Sequence, residues 1–103
     1  NDDLVDDDSN NVFNIFLDNE NYLVADMPMA LQNNHWGYWS FPSWPSHLDH
    51  IIISDELFDE FSSENSSCNT LIVDNLFNNG WIEYDFIVSD HRPVRISLDV
   101  NQE

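Results

Sequence analysis

Two short stretches of this chain carry side chains that could work together in acid–base or metal chemistry. In Ser89-Asp90-His91-Arg92-Pro93-Val94, a carboxylate, an imidazole and a guanidinium occupy three successive residues, just ahead of a proline that stops the chain from continuing as helix. In Leu48-Asp49-His50-Ile51-Ile52-Ile53-Ser54, an aspartate stands at the entrance to a β-branched run that is apolar on both faces. Such a run reads as a strand buried on both sides, where a carboxylate is costly unless a charged or hydrogen-bonding group meets it. A histidine elsewhere in the chain is a suitable partner. An aspartate bound to one imidazole nitrogen fixes the tautomer and stabilises the imidazolium, and the other nitrogen then faces substrate.

Together the two stretches resemble the endonuclease/exonuclease/phosphatase superfamily, the DNase I-like metal-dependent phosphoesterases. The likeness rests on the Ser-Asp-His-Arg-Pro-Val start of a strand at Ser89 and on the earlier buried strand opening at Asp49. It is strengthened by Trp44-Pro45-Ser46-His47-Leu48-Asp49-His50 leading into the isoleucine run, a pattern similar to a bacterial subgroup of that family. The resemblance implies Asp49 as the orienting carboxylate and His91 as the imidazole acting on either the attacking water or the scissile phosphate. It implies Asp90 as a metal-site carboxylate, directly or through water, and Asn1 as a phosphate contact, the last residue of a Gly-Asp-x-Asn-type motif. The implied cofactor is magnesium or manganese, which suits an oxygen-rich site. Arg92 either contacts phosphate or pairs with a surface carboxylate, and Trp44 and His47 fall on the substrate side. The implied fold is α+β, a four-layer α/β/β/α sandwich. That sandwich usually takes more than twice this length, so residues 1–103 are expected to be one domain fragment, its C-terminal half, partnered by the N-terminal half of the same domain.

The elements that must position these residues are short. Val94, Ile96, Leu98 and Val100 alternate with Arg95, Ser97, Asp99 and Asn101, the period-two pattern of a strand with one buried face. Val12 to Leu17 predicts a short helix with Phe13 and Phe16 on one face, Tyr22 to Ala25 a strand, and Met27 to Leu31 a helix or loop. Residues 35–47, with three tryptophans and two prolines, cannot form a regular helix and should end beside Asp49. Leu57, Phe58 and Phe61 suggest a turn or two of helix capped by Ser54 or Asp55. Residues 62–70 read as a polar loop and Leu71 to Val73 as a strand, with a turn at Asn78-Asn79-Gly80.

Composition limits the function. The chain has 103 residues, 42% hydrophobic and 14% aromatic, which is enough apolar material for one small core. No apolar run approaches the ~20 residues that span a bilayer. Twenty acidic residues against two basic ones give a formal net charge of -18, the opposite of a nucleic-acid footprint. A phosphate-ester substrate (nucleic acid, phospholipid headgroup or small molecule) is still compatible, because a bound divalent ion can dominate the local field. The competing class is a noncatalytic acidic interaction module, calcium-responsive through residues such as Asp6, Asp7 and Asp8, in which Asp49 caps a loop and Asp90-His91 is an ordinary turn. The spaced pattern of an EF-hand is absent. The single cysteine, Cys68, cannot form an internal disulfide.

Overall fold

A computed structural model describes residues 4, 11–43 and 45–100. Among the described residues the architecture is mixed α+β: five short helices and two separate two-stranded antiparallel sheets. Asn1 and Trp44, both expected to meet substrate, and the acidic run Asp6 to Asp8 lie outside the described residues.

Helix α1 (Asn14–Leu17) is entered through an Asx turn, in which the Asn11 side-chain oxygen accepts the Phe13 N–H at 2.9 Å. The Asn11 amide donates to the Leu4 carbonyl at 2.7 Å, tying the turn to the core. Strand β1 (Tyr22–Val24) pairs with β2 (Ile52–Ser54), setting Tyr22 opposite Ser54 and Val24 opposite Ile52. Leu4, Val24 and Ala30 are the buried centre, with Phe13, Leu17, Met27 and Ile52 packed around them. The two phenylalanines of α1 diverge: Phe13 meets His50 edge-on and Phe16 meets Tyr22. Helix α2 (Met27–Ala30) carries proline in its first turn, where the missing N–H is harmless.

The aromatic segment contains one turn of helix, α3 (His35–Tyr38), despite its tryptophans and prolines. Beyond it, Phe41 and Ser46 bond each other's backbone at 3.0 and 3.1 Å, closing a tight loop that returns the chain to Asp49. The isoleucine stretch is shorter and less buried than its composition suggests, since only Ile52–Ser54 pair and only Ile53 is fully buried. A 3-10 turn at Asp55–Leu57 then leads into α4 (Phe58–Ser62).

The second sheet departs from expectation. Strand β3 is Ser67–Thr70, inside the stretch read as a polar loop, while the expected strand at Leu71 to Val73 gives way to a 3-10 turn at Val73–Leu76. The reason is tertiary: β4 (Val94–Ser97) supplies a ladder that pairs Ser67 with Ser97, Cys68 with Ile96 and Thr70 with Val94. Within β4 the alternation holds, Val94 and Ile96 being half-buried and Arg95 and Ser97 exposed. Between these strands runs α5 (Gly80–Ile87), begun by Gly80 at φ 60°, a backbone angle open to glycine without strain. The buried Tyr84 donates its hydroxyl to the His91 carbonyl at 2.7 Å, fixing the end of α5 against the Ser-Asp-His turn.

Candidate functional site

The turn before β4 and the segment before β2 come together at one point. His91 Nδ1 lies 2.5 Å from Asp49 Oδ2, a short charge-assisted contact between residues 42 apart in sequence. Neither side chain is sealed: His91 is 26% and Asp49 37% exposed. The Ser89 hydroxyl accepts the His91 N–H at 2.9 Å and holds the turn in shape. Asp90 projects outward, 61% exposed, with Oδ1 4.0 Å from His91 Nε2. Thus a carboxylate stands on each side of one imidazole.

Asp49, Ser89 and His91 open on a cavity of about 410 Å3, lined also by His50, Ile51, Tyr84, Arg92, Pro93 and Val94. A larger hollow of about 630 Å3 is formed by Asn14, Ile15 and residues 18–21. It contains no imidazole, so the smaller cavity is the one equipped for acid–base work.

Arg92 also lines the smaller cavity, but its guanidinium is engaged by an interior carboxylate. Its side chain is 2% exposed and forks onto Asp74, with Nε and one terminal nitrogen each 2.9 Å from a carboxylate oxygen. Its other terminal nitrogen donates to the Trp36 carbonyl at 2.7 Å, and the guanidinium sits 5.5 and 5.4 Å from the rings of Trp36 and Trp81. Of the two expected roles, phosphate contact and carboxylate pair, the geometry supplies the pair, and with a buried rather than a surface carboxylate.

A second aspartate–histidine assembly adjoins the first. Asp26 is fully buried, and one of its oxygens takes His47 Nε2 at 2.9 Å and His50 Nδ1 at 2.7 Å, while the other accepts the Ile51 N–H at 2.7 Å. Burial alone would raise the Asp26 pKa, but the bonds from His47, His50 and Ile51 outweigh it and hold the carboxyl at about 2. His47, expected on the substrate side, is therefore interior, at 1% exposure. Nothing in the sequence marks Asp26, which stands at the N-cap position of α2 yet makes no cap bond.

The three ligand atoms of Asp26, His47 and His50 lie within 4.8 Å of one another, close enough to hold a metal ion. The surroundings disfavour that use. A metal-bound imidazole normally donates its second N–H outward, whereas His47 Nδ1 here receives the Ser40 N–H at 3.2 Å. That polarity puts the His47 proton on Nε2, facing Asp26, where a metal would have to be.

For a hard divalent cation the better donor is Asp90, an open carboxylate beside the cavity. Magnesium takes one or two carboxylates and keeps several waters, and Asp90 offers one such oxygen set. It belongs to no cluster of three donors among the described residues.

Cys68 is no rival nucleophile, because burial, with Asp26 adding, pushes its thiol up to about 11. No helix among the described residues is long and apolar enough to cross a membrane. The class defined so far is a small α+β protein with an open aspartate–histidine pair. Compared with known proteins, the chain matches no family model, no curated protein and no solved structure.

Proposed function

We propose that this chain is the C-terminal portion of a metal-dependent phosphoesterase of the endonuclease/exonuclease/phosphatase type. The observation that carries the reading is the 2.5 Å bond between His91 and Asp49, each the key residue of one of the two separated motifs. Its position on a cavity of about 410 Å3, beside the open carboxylate of Asp90, gives it room and a cation ligand.

In this reading Asp49 accepts the Nδ1 proton of His91 and keeps the Nε2 lone pair directed at the reacting centre. As base, Nε2 takes a proton from water while the water oxygen bonds to phosphorus; the ester P–O bond breaks and its electron pair leaves with the alcohol oxygen. In the alternative role Nε2, protonated, steadies a phosphoryl oxygen. Asp90 would hold magnesium or manganese, directly or through water, and that ion supplies charge neutralisation at the phosphoryl oxygens. Asn1 is assigned as a phosphate contact. The -18 net charge favours a compact phosphate ester or lipid headgroup over a long nucleic acid.

The proposed sandwich accounts for what is left uncovered. Two-stranded sheets are marginal alone, and α5 leaves Ile82 78% and Phe86 91% exposed, surface that a further layer of the same domain would cover. The competing acidic calcium module needs an oxygen cage. Its candidates, Asp6 to Asp8, lie outside the described residues.

The test is hydrolysis of a generic phosphodiester and a phosphomonoester by the whole protein with magnesium or manganese, beside His91→Ala. Metal-dependent turnover that collapses in the variant supports the reading. Turnover indifferent to His91, or none from folded, metal-loaded protein, returns the chain to the interaction-module class.

A further inference from the structure

Asp49 and His91 approach from different sheets. Asp49 precedes β2, His91 precedes β4, and β2 and β4 do not pair. No ladder therefore sets the distance across the pair, and something else must. We propose that Ser40 is the positioning residue of the Asp49–His91 pair. Its catalytic consequence rests on the phosphoesterase reading, whereas its geometric role does not.

Ser40 is fully buried and bonds in both directions. Its hydroxyl oxygen accepts the N–H groups of Leu48 and Asp49 at 3.0 and 3.1 Å, fixing the backbone that carries the carboxylate. Its carbonyl accepts the N–H of Arg92 at 2.7 Å, fixing the peptide that follows the imidazole. Its own N–H donates to His47 Nδ1, so the same residue is also tied into the Asp26 assembly. The two chains that present the pair thus meet on one residue, through bonds of defined direction.

Serine suits the place. A hydroxyl oxygen has two lone pairs for two converging N–H donors, and no other side chain supplies that acceptor in so small a volume. Alanine would leave both partly buried amides without this acceptor, and the 48–49 backbone would relax away from Ser40. A displacement of about 1 Å at a reacting pair is enough to lower turnover about 100-fold.

The test compares Ser40→Ala, Ser40→Cys and the control Ser63→Ala in the whole protein. Ser63 likewise accepts a backbone N–H on its hydroxyl, from Asn65 at 3.2 Å, and it donates to Asp99 at the end of β4 away from His91. Two readouts are taken: the low-field proton resonance of His91 Nδ1–H, which reports its bond to Asp49, and kcat with KM for phosphodiester hydrolysis. Circular dichroism and a thermal melt establish that each variant is folded.

The expected result is loss of the low-field resonance in Ser40→Ala and a kcat lower by about 100-fold with KM nearly unchanged, because orientation rather than binding is lost. Ser40→Cys, whose sulfur is a weak acceptor, should fall between, and Ser63→Ala should match wild type. Should Ser40→Ala fail to fold, Ser40→Cys is read in its place. A folded Ser40 variant that keeps both the resonance and kcat overturns the proposal. If the resonance is lost in Ser40→Ala but wild type hydrolyses no phosphate ester, Ser40 positions the pair and the phosphoesterase reading falls. If wild type is active and the resonance ignores Ser40, the reverse holds.

Discussion

Asp49 and His50 are neighbours in sequence, yet they join two aspartate–histidine assemblies with opposite surroundings. Asp49 meets His91 where both remain a quarter or more exposed, while His50 meets Asp26 with side-chain exposures of 5% and 0%. The residue types are the same, so chemistry of type alone does not separate an open pair from a sealed one. The difference lies in what remains to be satisfied. Asp26 has a donor for both oxygens, and its partner His47 accepts the Ser40 N–H at one nitrogen and donates to Asp26 from the other, leaving the assembly as an internal fastening. The Asp49–His91 pair instead opens on space that a ligand can occupy.

The largest effect that would sharpen this contrast is on activity. His91→Ala should lower turnover by about 10²–10⁴-fold, the range for losing a general acid or base, while leaving the melting temperature almost unchanged because the side chain is partly solvated. A large drop in stability instead would place the open pair in the same structural class as the sealed one. The reverse is expected of Asp26→Ala. Leaving buried imidazoles and an amide without their acceptor should cost about 3 kcal/mol of stability, seen as a lower denaturant midpoint. If that variant melts like wild type, the sealed assembly is not a fastening.

The pH dependence of folding follows from the same carboxylate. Asp26 is held at about 2 against an ordinary 3.8, a folded value below the unfolded one. Its contribution, of order 2 kcal/mol, is therefore complete above pH 3.8 and is lost as pH falls towards 2. Urea midpoints measured from pH 5 down to pH 2 should decline over that window, and Asp26→Asn should flatten the decline. The smallest expected change is in Asp90→Asn. With 61% of the side chain exposed, stability should move by less than about 0.5 kcal/mol, while the magnesium concentration needed for half-maximal turnover rises. Unchanged metal dependence would remove Asp90 from the proposed cation site.

The open pair was legible through the resemblance that the two motifs carry; the residues alone asked only for some histidine to meet Asp49. The α+β class came with the same resemblance, and the alternation of β4 was legible from the residues, since periodicity is a local property. What escaped was set by distant partners. Ser67 to Thr70 has the composition of a loop and becomes a strand only because β4 lies beside it. Asp26 and Ser40 are ordinary residues at ordinary positions, and their importance comes from segments that fold back on them. Asp74 is one of 20 acidic residues, and only the fork of Arg92 distinguishes it. No local signal marks that fork or its ring contacts, since Trp36 stands 56 residues from Arg92 in sequence.

The distance in sequence between partners also sets when they can meet during synthesis. His91 bonds Asp49 across 42 residues, and Arg92 reaches the Trp36 carbonyl across 56. At translation rates of about 5–20 residues per second, Asp49 exists for roughly 2 to 8 s before its histidine has been made. Throughout that interval a growing chain carries the carboxylate without its imidazole and Trp36 without its cation. Neither partnership can form until the turn that opens β4 has been made.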